Sequence, residues 1–183
     1  MKRRLFLGAI AAGLLAGAAP AGAQNLDPEN TLYLQTKFGR TVIQLRPDLA
    51  PNHVARVKQL AREKFYDGIP FHRVIAGFMA QTGDPTGTGT GGSDRPDLRA
   101  EFSLTPYERG VVGMARSSHP HSANSQFFIT YKRSTFLNGK YTVFGQVVSG
   151  MEHIDRLRKG AQGSGTVRNP DQMLSLRVAA DVK

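Results

Sequence analysis

Along most of this chain the apolar residues come in short runs that Gly or Pro interrupts after a few positions, and only two stretches show apolar residues at helical spacing. Short runs of this kind make strands, and the absence of a strand–helix–strand alternation argues against a parallel sheet. The expected class is mainly β, an antiparallel sheet or closed barrel with helices at its ends. At 183 residues the chain is sized for one domain, and folding at this length buries about 70% of the unfolded surface, enough for a core without crosslinks.

The runs can be placed one by one. Leu32 and Leu34, then Val42, Ile43 and Leu45, predict a β-hairpin turning at Lys37-Phe38-Gly39-Arg40. Pro51 opens an amphipathic helix with Val54, Val57, Leu60, Ala61 and Phe65 on its apolar side, and Gly68 is expected to stop it. Residues 69–81 read as a strand pair, and 83–94, rich in Gly and Thr, as a long loop. Further strands are expected within 111–115, 126–131, 142–148 and 174–181, and a second helix over 151–159, where Met151, Ile154 and Leu157 share a face.

The N-terminus reads as an address. Lys2-Arg3-Arg4, an uncharged apolar stretch over 5–19 and Ala21-Gly22-Ala23 have the order of a secretory signal peptide, with cleavage expected after Ala23. Arg3-Arg4-Leu5-Phe6-Leu7 also resembles a twin-arginine signal, so the twin-arginine and general secretory routes both stay open. Residues 1–23 are thus a signal peptide, 24–30 a polar linker and 31–183 the domain. The expected location is the periplasm, with no stable membrane insertion once the signal is removed.

Composition then narrows the chemistry. Without cysteine there is no disulfide scaffold, thiol nucleophile, Cys-ligated zinc or iron–sulfur cluster. The 24 basic and 14 acidic residues give a formal +10, and losing Lys2, Arg3 and Arg4 leaves +7, a surface charge that by itself implies no nucleic-acid partner. His119-Pro120-His121 lacks a Cys or spaced carboxylate partner, and no metal is expected there. The run from Gly87 to Gly92 lacks the Gly-Lys-Ser/Thr ending of a phosphate loop, and no G-x-S-x-G elbow supports a serine triad.

What remains is Phe71-His72-Arg73-Val74-Ile75, followed by Gly77-Phe78-Met79 and Gln81. In an extended chain Phe71, Arg73 and Ile75 would share one face and His72 and Val74 the other. An arginine among apolar neighbours needs a carboxylate partner or a ligand, and His72 is read as a hydrogen-bonding support of the fold. With Tyr66-Asp67-Gly68, Met114-Ala115-Arg116, Ser125-Gln126-Phe127-Phe128-Ile129-Thr130 and Phe136-Leu137-Asn138-Gly139-Lys140-Tyr141-Thr142-Val143-Phe144-Gly145, this stretch resembles the cyclophilin family of peptidyl-prolyl isomerases, most closely its bacterial periplasmic members. The resemblance spans about residues 31–182.

It implies a closed eight-stranded antiparallel barrel capped by two α-helices, and an enzyme needing no cofactor and no metal. Arg73 matches the family's catalytic arginine. Phe78, Met79, Phe128 and Leu137 match the pocket for the proline ring, and Gln81, Ala115, Arg116 and Gln126 the groove for flanking backbone. Phe136 stands where many members have Trp, a residue that donates to the cyclic inhibitor cyclosporin, and Tyr141 where many have His. Ala76 replaces a usual Pro, and Thr82-Gly83 a usual Gly-Gly, both read as loop positions. Met114 and Phe127 are read as core. The implied partners are proline-containing peptides and unfolded exported proteins, and the enzyme is expected to act as a monomer. A proline-binding module or holdase with the same pocket and little turnover is the alternative.

Overall fold

The computed structural model describes residues 26–183, so the expected signal peptide lies outside the described residues. The hairpin forms as β1 (Thr31–Thr36) and β2 (Gly39–Leu45), with Leu32, Leu34, Ile43 and Leu45 buried. Six more strands follow: β3 (Arg73–Ile75), β4 (Met79–Thr82), β5 (Val111–Met114), β6 (Phe127–Thr130), β7 (Val143–Ser149) and β8 (Ser175–Val178). All pairings are antiparallel, in the order β3-β4-β6-β5-β7-β2-β1-β8.

The sheet curls without closing, which corrects the closed barrel. No ladder joins β3 to β8; the isolated bridges Pro70↔Gln172 and Arg73↔Thr166 and scattered backbone hydrogen bonds link the β3 region to the chain entering β8. A loop lies along the β3 edge instead, with Val74 N donating to Gly165 O at 2.8 Å and Gly160 N to Val74 O at 2.8 Å. Gly165 is required there: its φ is +75°, and a Cβ would stand 2.4 Å from Ile75 Cγ1.

Helix α1 (Pro51–Arg62) buries Val54, Val57, Leu60 and Ala61 and packs against β7 and β8. Ala50 offers no side-chain cap. The free N-terminal donors are met from a distance, as Glu101 accepts from Asn52 N at 3.2 Å and His53 N at 3.1 Å. The helix stops at Arg62 and not at Gly68, because Lys64 takes a left-handed φ of 57° and Phe65 N turns back to Leu60 O at 2.9 Å. Phe65 therefore packs on the core from beyond the helix.

The second helix is also shorter than its periodicity suggested. Helix α2 (Met151–Asp155) ends as Arg158 N is drawn to Asp171 Oδ2 at 2.7 Å and Lys159 Nζ donates to the Asp155 and Leu157 carbonyls. Leu157 is still buried, in the turn that follows. Before β1, Pro28–Asn30 form a turn of 3-10 helix, with Glu29 paired to Lys58 and Arg62 of α1. No helix among the described residues is long and apolar enough to cross a membrane.

Two apolar clusters sit on opposite faces of the sheet. The larger lies inside the curl and takes Leu34, Ile43, Val74, Ala80, Val112, Met114, Phe127, Ile129 and Leu176, together with α1. The smaller comprises Met79, Tyr107, Val111, Phe128, Leu137 and Val143. Alternation along β4 and β6 explains the split, because Ala80, Phe127 and Ile129 point inward while Met79 and Phe128 point to the other side. Every residue of β5 and β6 is buried for that reason.

Candidate active site

A cavity of about 580 Å³ opens over the smaller cluster. It is lined by Arg73, Phe78, Met79, Gln81, Ala115, Arg116, Phe128, Phe136, Leu137 and Tyr141, which are ten of the eleven site residues read from the sequence. The eleventh, Gln126, lines an adjoining groove of about 500 Å³ with Gln81, Ala115, Arg116 and the 89–93 loop. Sheet register creates this grouping: Arg73 pairs with Gln81, Gln81 with Phe128, and Phe128 with Gly113, so one row crosses β3, β4, β6 and β5.

The alternation expected around Arg73 holds only within β3. Arg73 and Ile75 turn toward the site and Val74 is fully buried, but Phe71, before the strand begins, belongs to the larger core. No carboxylate lies within ion-pair distance of Arg73 among the described residues. Its Nε donates to Ser164 O at 3.0 Å and its Nη1 to Gln81 Oε1 at 3.3 Å, which ties the guanidinium at two points beside the cavity. Nη2 makes no hydrogen bond among the described residues. Gln81 Nε2 donates in turn to Gln126 Oε1 at 2.9 Å, and Gln126 Nε2 to the carbonyls of Gly89 at 3.1 Å and Gly91 at 2.8 Å.

The aromatic walls differ in exposure. Phe128 is 5% exposed and stacks on Tyr107, with ring centroids 5.7 Å apart, while Tyr141 meets its edge at 5.8 Å. Phe136 is 60% exposed and leans on Phe78 at 5.2 Å, forming a rim. Arg116 is pinned, its Nε and Nη2 donating to Lys140 O and its guanidinium lying 4.5 Å over the Tyr141 ring. That contact fits Arg and Tyr at these two positions, since the flat cation covers the ring face.

Several participants were missed in the sequence. Ser164 and Thr166 reach the site from the loop beside β3, and Lys140, Thr88 and Gly89 also line the cavity. Asp84 is fully buried at the start of the Gly/Thr loop, and a lone acid ahead of Gly87-Thr88-Gly89-Thr90-Gly91 was the available signal. His72 lines the cavity too, but neither ring nitrogen has a hydrogen-bond partner among the described residues, which corrects its reading as a hydrogen-bonding support. Burial holds its imidazole below the usual range, with Asp84 opposing. Thr82 is the last residue of β4 and not a loop residue, with its hydroxyl donating to Pro70 O at 3.0 Å. Ala76 lies in the β3–β4 turn, and Met114 and Phe127 are core.

The family model described as cyclophilin type peptidyl-prolyl cis-trans isomerase/CLD matches residues 31–178. The chain belongs to the cyclophilin family. This cyclophilin is 51% identical over 192 residues to the "Probable peptidyl-prolyl cis-trans isomerase" of Brucella suis, covering 98% of both chains. It is 42% identical over 128 residues to a peptidyl-prolyl cis-trans isomerase of Schizosaccharomyces pombe, covering 68% of this chain and 82% of that one. Among solved structures it resembles cyclophilin AquaCyp293 from Hirschia baltica, with a TM-score of 0.78, 28% identity, and 86% of this chain and 77% of that one covered. It also resembles a Cryptosporidium parvum cyclophilin crystallised with the dipeptide Ala-Pro, with a TM-score of 0.74, 29% identity, and 81% and 98% covered. The protein is a peptidyl-prolyl cis-trans isomerase, EC 5.2.1.8.

Proposed function

We propose that the isomerase acts on X–Pro bonds of exported proteins in the periplasm, with Arg73 as its catalytic residue. The observation carrying the catalytic part is the placement of Arg73: two of its nitrogens are fixed on Ser164 and Gln81, at the edge of a cavity walled by Phe78, Met79, Phe128 and Leu137.

An X–Pro bond turns slowly because amide resonance raises a barrier of about 18–20 kcal/mol. Halfway through rotation the prolyl nitrogen loses conjugation and its lone pair becomes a better acceptor. The apolar walls hold the ring by contact, and Arg73 donates to the nitrogen most strongly when the bond is twisted. Binding the twisted state better than either planar isomer is the whole of the catalysis, so no bond is made or broken and no proton moves. Gln81, Ala115, Arg116 and Gln126 line the adjoining groove and take the flanking backbone.

The periplasmic part rests on Lys2-Arg3-Arg4, the apolar stretch and Ala21-Gly22-Ala23. Its test is intact-mass analysis of the exported protein, which should begin at Gln24. A form beginning at Met1 in the cytoplasm overturns it. The activity is tested by exchange spectroscopy on a short Ala-Pro peptide. Arg73→Ala should lower kcat/KM by roughly 100- to 1,000-fold, the scale for removing one preorganised donor. A folded Arg73→Ala enzyme with near wild-type turnover refutes the assignment.

A further inference from the structure

The hydrogen bonds that lead away from Arg73 run in one direction. Arg73 donates to Gln81, Gln81 to Gln126, and Gln126 to the carbonyls of Gly89 and Gly91. A guanidinium can only donate and a backbone carbonyl can only accept, so the two ends fix which way both amides point. The chain of amides is therefore only as well placed as the loop that supplies its final acceptors.

That loop has no strand or helix between Gly83 and Gly110 to hold it. From Ser93 onward it is tied down by Asn124 Oδ1, which accepts from Ser93 N at 2.8 Å, and by Leu98 N donating to Ala123 O at 2.7 Å, whereas residues 86–91, which include Gly89 and Gly91, are gathered by one carboxylate. Asp84 is fully buried, and its Oδ1 accepts from Thr86 N and Thr86 Oγ1, both at 2.8 Å. Its Oδ2 accepts from Gly89 N at 2.6 Å and Gly91 N at 3.2 Å. The peptide N–H groups of Gly89 and Gly91 thus face Asp84, while the carbonyls of the same two residues face Gln126. Burial pushes the Asp84 carboxyl up, but the Thr86 hydroxyl and the three backbone N–H groups outweigh it and bring it down to about 2.

We infer that Asp84 is a positioning residue of the isomerase, holding the Gly89 and Gly91 carbonyls so that Gln126 and Gln81 orient the Arg73 guanidinium toward the cavity. The inference rests on Arg73 being the donor in catalysis. A neutral amide at 84 would present N–H groups to the loop's own N–H donors, and the loop would leave the Asp84 side. Gln126 would then lose its acceptors and the chain its fixed direction.

The test combines turnover with the spectrum of the Arg73 side chain. Asp84→Asn should lower kcat by roughly 10-fold with KM within about 2-fold, since a misplaced catalytic group can cost up to about 100-fold. It should also shift and broaden the Arg73 Nε–Hε NMR signal. The decisive arm is a double-mutant cycle. In a Gln126→Ala background, Asp84→Asn should change kcat by less than about 2-fold, because the route from the loop to Arg73 is already cut. Losses that multiply, or an Arg73 signal that does not move in Asp84→Asn, overturn the proposal. Should Asp84→Asn fold poorly, Thr86→Val removes one donor to the intact carboxylate and carries the same cycle, with a loss of roughly 3-fold expected that vanishes in Gln126→Ala. If Arg73→Ala keeps its turnover, the reading of the site fails on its own. The spectral shift reports the positioning separately from that outcome.

Discussion

Phe128 in β6 pairs with Gly113 in β5, and a Cβ at 113 would stand 2.8 Å from Phe128 Cζ and 2.3 Å from the Tyr107 hydroxyl. The missing side chain is what lets the Phe128 ring stack on Tyr107 and still show a face to the cavity. The floor of the site is thus continuous with the smaller apolar cluster.

Phe128→Ala should accordingly harm stability as well as turnover. At 5% exposure the ring is nearly core, and Phe→Ala changes in cores cost about 3–5 kcal/mol, so a loss near 3 kcal/mol is expected. Denaturant melts and exchange assays of the same preparation check this. Unchanged stability with lost activity would make Phe128 a cavity wall independent of the cluster.

A second expectation concerns the rim. Phe136 has no hydrogen-bond donor, where the family resemblance places a Trp N–H that cyclosporin uses. An inhibitor carbonyl left desolvated and unpaired costs about 1–3 kcal/mol, a roughly 5- to 150-fold weakening. Wild-type binding measured by calorimetry should be weak, Phe136→Trp should tighten it, and Ala-Pro turnover should change little. No gain from Phe136→Trp would remove this position from inhibitor control.

Charge should govern substrate choice at the same mouth. Arg73, Arg116 and Lys140 line the cavity, and no carboxylate does among the described residues. Peptides with Glu beside the proline should turn over roughly 3-fold faster than those with Lys at low salt, the scale of exposed ion pairs. The gap should shrink as salt rises, and Lys140→Glu should narrow it. Equal rates for both peptides at low salt would contradict this.

Stability should fall on the acid side of neutrality. His53 is fully buried, with Nδ1 2.6 Å from Glu101 Oε2 and Nε2 without a partner among the described residues. Burial lowers its tendency to protonate from the ordinary 6.5 despite Glu101, and burial does the same at His72. The unfolded chain then takes up protons that the native one refuses. This contribution is complete above about pH 6.5 and is lost as the pH drops below it. Melting temperatures between about pH 5 and 8 should rise with pH and His53→Gln should flatten the slope. A wild-type optimum at the acidic end would contradict the sign.

Much of this was legible in the sequence, and the exceptions share a cause. The strands and helix starts follow from periodicity, Pro51 and the Gly breaks. Helix ends were overestimated because Lys64 takes the left-handed turn that Gly68 seemed to offer, and because Asp171 draws off Arg158. The cavity residues were readable as motifs. Ser164 and Thr166, which reach the site from a loop, and Asp84, which is buried behind Gly89, were not, since their loops carry no periodic signal. The open edge at β3 was hidden for the same reason.

The strand that starts the domain is held by the one that ends it: β1 lies between β2 and β8, with Leu34 opposite Leu176. Residues 73–141, nearly the whole cavity, are synthesised before that partner exists. A chain still emerging from a ribosome therefore carries the chemistry without its scaffold. Prematurely terminated fragments leave an unpaired β1 edge open to other strands, and even the full chain must wait for its most distant contact. Closing the β1 edge thus waits for residues 175–178, well after the residues of the cavity.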